Sequence, residues 1–184
     1  MRKVAVIVGS IRKDSINKTL ARALAKLADG KLAFDTVQID DLPLFNQDNE
    51  TSPPPAVTRM KEQIRAADGL LFVTPEHNRS IPAALKNAID WSSRPPKDSA
   101  FVGKVGAIIG TSRGRISTAI AQSHLKTIIG SHLDAVLGVP EAYIQFTDTL
   151  IDADANVTDE TVKKVLTRFI ANFTKLVEDA KETT

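Results

Sequence analysis

Five apolar runs, each followed by a helical stripe, set the rhythm of this 184-residue chain. Val4-Ala5-Val6-Ile7-Val8 carries no polar residue, the pattern of a strand buried on both faces of a parallel sheet. It stops at Gly9, and a polar segment runs to Asn17. Leu20, Ala23, Leu24 and Leu27 then recur at helical spacing, and Asp29-Gly30 supplies a stop. Lys31 to Asp40 alternates loosely through Leu32, Phe34, Val37 and Ile39 and reads as a second strand near an edge of the sheet. Asp41 to Pro55 is rich in Pro, Asn and Asp and reads as a loop. Its Leu42, Leu44 and Phe45 can close the core, cover a ligand or meet a partner subunit. Val57, Met60, Ile64 and Ala67 share one face of a helix spanning Val57 to Ala67. Leu70 to Val73 is a short central strand ending at Thr74-Pro75, and a helix with Leu85, Ala88 and Ile89 runs from Pro82 through Trp91. Val105 to Ile109 is another central strand, followed by a helix from about Ile116 to Ile129 and a fifth strand over His132 to Val139. An irregular stretch to Asn156 precedes a last helix whose stripe runs from Val162 to Val177, with Thr158 expected to cap it.

Strand and helix thus alternate five times, which implies a parallel sheet covered on both faces. Right-handed crossovers restrict this to a three-layer doubly wound α/β fold, read here as a single domain over residues 1–184. Ligands of such sheets lie beyond the carboxyl ends of the strands. Three polar loops fall there: Gly9–Asn17, Pro75–Pro82 and Gly110–Ser117.

Composition removes several kinds of chemistry. There is no cysteine, which excludes disulfides, thiolate metal sites and cysteine nucleophiles. A formal charge of +2 without basic runs gives no reason to expect nucleic acid or an anionic membrane. The three histidines are too scattered to suggest a metal site. No apolar run reaches the length of a membrane span. The first core strand begins at Val4, leaving no room for a signal peptide, and the expected location is cytoplasmic.

The first polar loop has the chemistry of an anion site. First-turn amides of a helix have no helical partner and the helix dipole favours negative charge. Ser10, Ser15 and Asn17 can add side-chain hydrogen bonds, and Arg12 a charge-assisted pair. Only the first glycine of the P-loop is present and the dinucleotide fingerprint is absent, so a single terminal phosphate fits better than a pyrophosphate. The alternative is structural: Ser15 caps the helix and Arg12 is a solvated surface charge.

At these loops the sequence resembles the NADPH-dependent FMN reductases of flavodoxin-like fold, in particular their quinone and chromate reductase branch. The matching residues are Gly9-Ser10-x-Arg12-x-x-Ser15-x-Asn17 and Pro75-Glu76-His77-Asn78-x-Ser80-x-Pro82-x-x-Leu85-Lys86-Asn87-Ala88-Ile89-Asp90-Trp91. The resemblance implies strand order 2-1-3-4-5 and FMN as cofactor, with its phosphate on Ser10, Arg12, Ser15 and Asn17 and with Ile16 in the same turn. The isoalloxazine ring would lie along Pro75, Glu76, His77 and Asn78, with Ser80 completing that loop and Ser112 and Gly114 flanking the other side. NADPH or NADH would reduce the flavin and leave. A quinone, azo compound, free flavin or oxidised metal anion such as chromate would then take the electrons in a ping-pong reaction. A homodimer, or a tetramer, is the implied assembly. The chain departs from the family pattern at His77, where tyrosine is usual, and at Ser117 and Thr118, where a glycine pair is usual. Side chains at the latter two would narrow the space for nicotinamide. Ile120 and Ser123 replace an arginine and a tyrosine that often face a neighbouring subunit.

Two other readings compete. Gly110-Thr111-Ser112-Arg113-Gly114 matches the Gly-x-Ser-x-Gly nucleophile elbow of serine hydrolases, between strand and helix as required. No acidic residue lies between Ser112 and His132, so the order Ser, acid, His is not met, and Ser112 is better read as lining the flavin edge or closing a turn. A flavin-binding electron carrier or redox sensor is the other alternative. Hydride transfer to flavin needs no protein nucleophile, so no catalytic residue is assigned. Arg113 and Arg115 are candidates for a cofactor 2′-phosphate, or for plain solvated charges.

Overall fold

A computed structural model of the chain describes residues 1–182. Six strands, β1 (Arg2–Val8), β2 (Leu32–Thr36), β3 (Gly69–Val73), β4 (Val105–Ser112), β5 (Ala135–Val136) and β6 (Tyr143–Gln145), form one sheet. Five helices surround it: α1 (Ile16–Leu27), α2 (Pro55–Ala66), α3 (Ala83–Ser92), α4 (Ala119–Ile129) and α5 (Glu160–Glu182). Every strand pair is parallel and the order is β2-β1-β3-β4-β5, the doubly wound flavodoxin-like arrangement. Among the described residues no helix is long and apolar enough to cross a membrane.

The unbroken apolar strands follow from burial on both sides. Val4, Val6, Leu71, Val73, Ala107 and Ile109 face α1 and α5. Ala5, Ile7, Leu70, Phe72 and Ile108 face α2, α3 and α4. With both faces covered, the sheet presents its strand ends, and the polar loops after them, to solvent.

The far side of β4 differs from the sequence expectation. One strand over His132–Val139 is replaced by two pieces, β5 against Val105–Gly106 and β6 against Gly110–Ser112. Gly138 and Pro140 interrupt the run, and proline has no N–H for a ladder. The chain rejoins the sheet at Tyr143, and β4 accordingly runs on past Ile109. The last helix also starts differently. Asp159 caps it, its Oδ1 accepting from the amides of Thr161 and Val162 at 2.8 and 2.9 Å. The Thr158 hydroxyl donates instead to the carbonyl of Thr149 at 2.6 Å.

The loop after β2 is irregular but tied down. Asn87 of α3 accepts from the Phe45 amide at 2.8 Å and donates to the Pro43 carbonyl at 2.9 Å. Trp91 Nε1 donates to that same carbonyl at 2.8 Å, and its ring meets Phe45 edge-on at 5.0 Å. Leu42 and Phe45 pack against the core face that holds α2 and α3, while Leu44 points into solvent.

Candidate functional site

The first loop is built to leave donors free. The Gly9 amide makes a last rung to the Val73 carbonyl at 2.9 Å. A Cβ on Gly9 would stand 3.1 Å from Leu85 and 3.4 Å from Pro75, so the bare backbone lets the first and second loops approach. Among the described residues the amides of Ser10, Ile11, Arg12, Lys13, Asp14 and Ser15 find no protein acceptor. Ser15 is the N-cap of α1, its Oγ accepting from the amides of Asn17 and Lys18 at 3.2 and 3.4 Å. Its own O–H stays available to donate. Arg12 is exposed, and its guanidinium has no protein partner among the described residues. Ile16 packs against the core, so only its backbone reaches the loop.

Asn17 behaves differently from its neighbours. It is 1% exposed, its Nδ2 donates to the Thr111 carbonyl and its Oδ1 accepts from the Thr111 amide, both at 3.0 Å. The reason lies in the sheet. β3 leaves β4 after the Thr74 amide bonds the Ile109 carbonyl at 2.9 Å, because Pro75 follows. Thr111 is the next residue on that side of β4, and the Asn17 amide takes the rung that β3 abandons. Buried main-chain groups are almost always paired, and a primary amide is the side chain that matches a peptide unit.

The second loop holds a tight turn. His77 and Ser80 exchange backbone hydrogen bonds at 2.9 Å in both directions. Between them Asn78 and Arg79 have φ of 50° and 65°, the signature of a type I′ turn. Asparagine tolerates that region; for Arg79 it costs about 1 kcal/mol. His77, Asn78 and Arg79 are exposed, and among the described residues the amides of Glu76, Asn78 and Arg79 make no protein hydrogen bond. Two side chains tie the loop to α4. Glu76 Oε2 accepts from the amides of Ile120 and Ala121 at 3.1 and 3.0 Å. Ser80 Oγ lies 2.8 Å from His124 Nδ1.

In the third loop the hydroxyls turn inward. A Cβ on Gly110 would run into the Thr74 carbonyl oxygen, so only glycine lets β4 pass the end of β3. Thr111 and Ser117 both donate to the Ile144 carbonyl at 2.6 Å. Thr118 is fully buried and accepts from Gln122 Nε2 at 2.9 Å. Neither Ser117 nor Thr118 therefore narrows the space above the loop, contrary to the sequence expectation. Ser117 does sit at φ 54°, the kind of position that favours glycine. Ser112 Oγ accepts from the Gly114 amide at 3.2 Å and closes the turn. Among the described residues no histidine bonds it, and the nucleophile–base contact of a hydrolase is missing.

The two arginines of this loop separate. Arg113 lies 2.5 Å from Asp148 and 5.8 Å from the Phe146 ring centroid. The hydrogen bond with Asp148 raises the guanidinium pKa and lowers that of the carboxyl. Arg115 has no partner among the described residues and stays available. His132 rests against Phe101, ring centroids 5.8 Å apart.

The three loops are therefore cross-braced at one end of the sheet. Asn17 joins the first to the third, Gly9 brings the first against the second, and Glu76 joins the second to the helix after the third. The result is a run of free amides, two hydroxyls and a cation at a helix N-terminus, beside a tight turn with further free amides. Sequence reasoning allowed Glu76 to orient its loop through backbone hydrogen bonds, but it missed that the amides belong to α4, and it missed the Thr111 backbone. Neither carries a sequence signal, since one partner of each is main chain.

The chain is similar to known proteins along nearly its whole length. A family model described as NADPH-dependent FMN reductase matches residues 2–148. A 2-hydroxy-1,4-benzoquinone reductase from a Burkholderia species is 51% identical over 97% of this chain and 98% of its own. A quinone reductase from Pseudomonas putida is 44% identical over 95% of this chain and 94% of its own. Among solved structures, the flavoenzyme NAD(P)H:(acceptor) oxidoreductase FerB from Paracoccus denitrificans superposes with a TM-score of 0.94 at 43% identity, covering 98% of this chain and 99% of that one.

Proposed function

This chain belongs to the NADPH-dependent FMN reductase family, and on that premise we propose an NAD(P)H-dependent flavin enzyme whose electron acceptor is a quinone. The supporting observation is the run of amides from Ser10 to Ser15 at the N-terminus of α1 that, with the Ser15 hydroxyl as donor and Arg12, find no partner among the described residues. Such a donor set fits a dianionic terminal phosphate. In this reading Ser10, Arg12 and Ser15 hold the FMN phosphate, and Ile16 and Asn17 contribute backbone and placement. The free amides of the Pro75–Ser80 loop would meet the polar edge of the ring, and Ser112 and Gly114 would flank it. His77 presents an imidazole where the family pattern has tyrosine.

FMN, when bound, supplies the redox chemistry, accepting a hydride from nicotinamide and passing two electrons to the acceptor. The protein's part is to bind the phosphate, orient the ring by main-chain donors and keep one ring face open to both substrates in turn. That shared face makes the reaction ping-pong and would admit azo compounds, free flavin or chromate as further acceptors. Arg115, rather than the engaged Arg113, is the cation available to a nucleotide phosphate. Residues 1–184 would then be one FMN-binding domain that works as a homodimer or tetramer in the cytoplasm.

The test is an anaerobic visible spectrum of the FMN-reconstituted protein. NADPH should bleach the flavin bands, and a benzoquinone added after nicotinamide is removed should restore them. Flavin that binds but stays oxidised would mean a carrier or sensor; failure to bind FMN would refute the reading.

A further inference from the structure

Helix α4 begins without a cap of its own. Thr118 stands at the N-cap with no side-chain bond to the first-turn amides, since its Oγ1 is taken by Gln122. The amides of Ile120 and Ala121 are satisfied from far away in sequence, by a single carboxylate oxygen of Glu76 at 3.1 and 3.0 Å. Glu76 is half-buried and belongs to the loop that starts the type I′ turn. Ser80, at the other end of the turn, is held to the same helix through His124.

A helix N-terminus carries roughly half a positive charge, and a carboxylate on its amides offsets it. Without Glu76, two bare N–H groups and a positive helix end would adjoin the loop along which, on the flavin reading, the ring lies. Reduction adds negative charge to the flavin, so fixed charge nearby weights the affinity for reduced over oxidised FMN. We propose that Glu76 is a positioning residue of the flavin site, locking the Pro75–Ser80 loop onto α4 and, by cancelling the positive end of that helix, holding the flavin potential down so that electrons pass on readily. This inference rests on the flavin reading, and it assigns the Glu76 side chain to α4 rather than to the cofactor.

Two variants separate its halves. The amide oxygen of Glu76→Gln can still accept both N–H bonds but brings no charge. Its affinity for reduced relative to oxidised FMN should rise about tenfold, or about +30 mV for a two-electron couple. Hydrogen exchange at Ile120 and Ala121 should stay as in the parent. Glu76→Ala should show the raised ratio together with about tenfold or more faster exchange at both amides and weaker oxidised FMN. A purely structural role would move exchange and affinity but leave the potential of the glutamine variant alone.

A ratio within twofold of the parent in Glu76→Gln overturns the charge role. Unchanged exchange in Glu76→Ala overturns the tether. Should the alanine variant fail to fold, the glutamine variant still decides the charge role. If the parent binds no FMN, the flavin reading fails and takes the charge role with it, while exchange in the flavin-free protein decides the tether.

Discussion

Asn17→Ala removes a side chain that replaces a rung of the sheet on both its donor and its acceptor side. Both bonds it makes are 3.0 Å long, and both partners are main-chain groups of Thr111. The site is buried, so water cannot take over without opening the first loop. Each buried backbone group left unpaired costs about 1–3 kcal/mol, which for the two groups of Thr111 puts the variant about 2–6 kcal/mol below the parent. That is a large part of the roughly 5–15 kcal/mol typical of a domain. With a urea slope of about 2–3 kcal/mol/M, the unfolding midpoint of the flavin-free protein should fall by about 0.7–3 M. Asn17→Leu should suffer a similar loss, since it nearly keeps the volume and still leaves Thr111 unpaired. If instead the Asn17 amide were a phosphate ligand, the flavin-free protein would be unaffected and FMN affinity alone would drop. A midpoint within about 0.3 M of the parent, measured without flavin, would refute the role of Asn17 as a substitute rung.

Arg12→Ala should leave the unfolding midpoint unchanged, because Arg12 is exposed and has no protein partner among the described residues. It should weaken FMN binding by about 1.5–3 kcal/mol, roughly ten- to a hundred-and-fifty-fold by calorimetry. Gly110→Ala forces a Cβ into the Thr74 carbonyl; a loss of about 3 kcal/mol or more, or insoluble protein, is expected. Asp41, Asp98, Glu141, Asp148 and Asp152 are held below their ordinary values, by Arg59, Lys61, Lys126, Arg113 and Asn156 respectively. As pH falls the unfolded chain takes up these protons first. Their contribution is complete above about pH 5 and is lost as pH drops through the folded values, and urea midpoints measured between pH 7 and 3 check it.

The parallel sheet and both helix layers were legible because Val4–Val8, Leu70–Val73 and Val105–Ile109 are buried on two faces and cannot be polar anywhere, whereas the strand order came only with the family resemblance. The fifth position was misjudged, since apolar character resumes at Val139 while the last backbone bond to that end of β4 runs from the Leu137 amide to the Gly106 carbonyl at 2.8 Å. The anion loop was legible from its hydroxyls and from where it falls, but the part played by Asn17 was not. Its neighbours in sequence make it look like a ligand; only the early exit of β3 at Pro75 leaves β4 a vacancy for it to fill. Ser117 looked like an obstruction because its direction depends on the Ile144 carbonyl, which sequence does not place nearby, and Thr118 because its bond to Gln122 one turn on follows only once the helix turns that hydroxyl inward. Thr158 lost the cap to Asp159 by one residue, a choice that local pattern does not resolve.

Trp91 closes the long motif by which the chain resembles flavin enzymes, yet its contacts are with Pro43 and Phe45. It is also the chain's one tryptophan. The protein therefore carries its own optical probe, placed against the segment from Pro43 to Phe45 and buried to 1% exposure. Emission from flavin-free protein reads the docking of that segment, with undocking seen as a red shift when the indole meets water. Fluorescence and far-ultraviolet dichroism will report different events wherever this loop lifts before the sheet unfolds, and superposed melting curves would show that it does not.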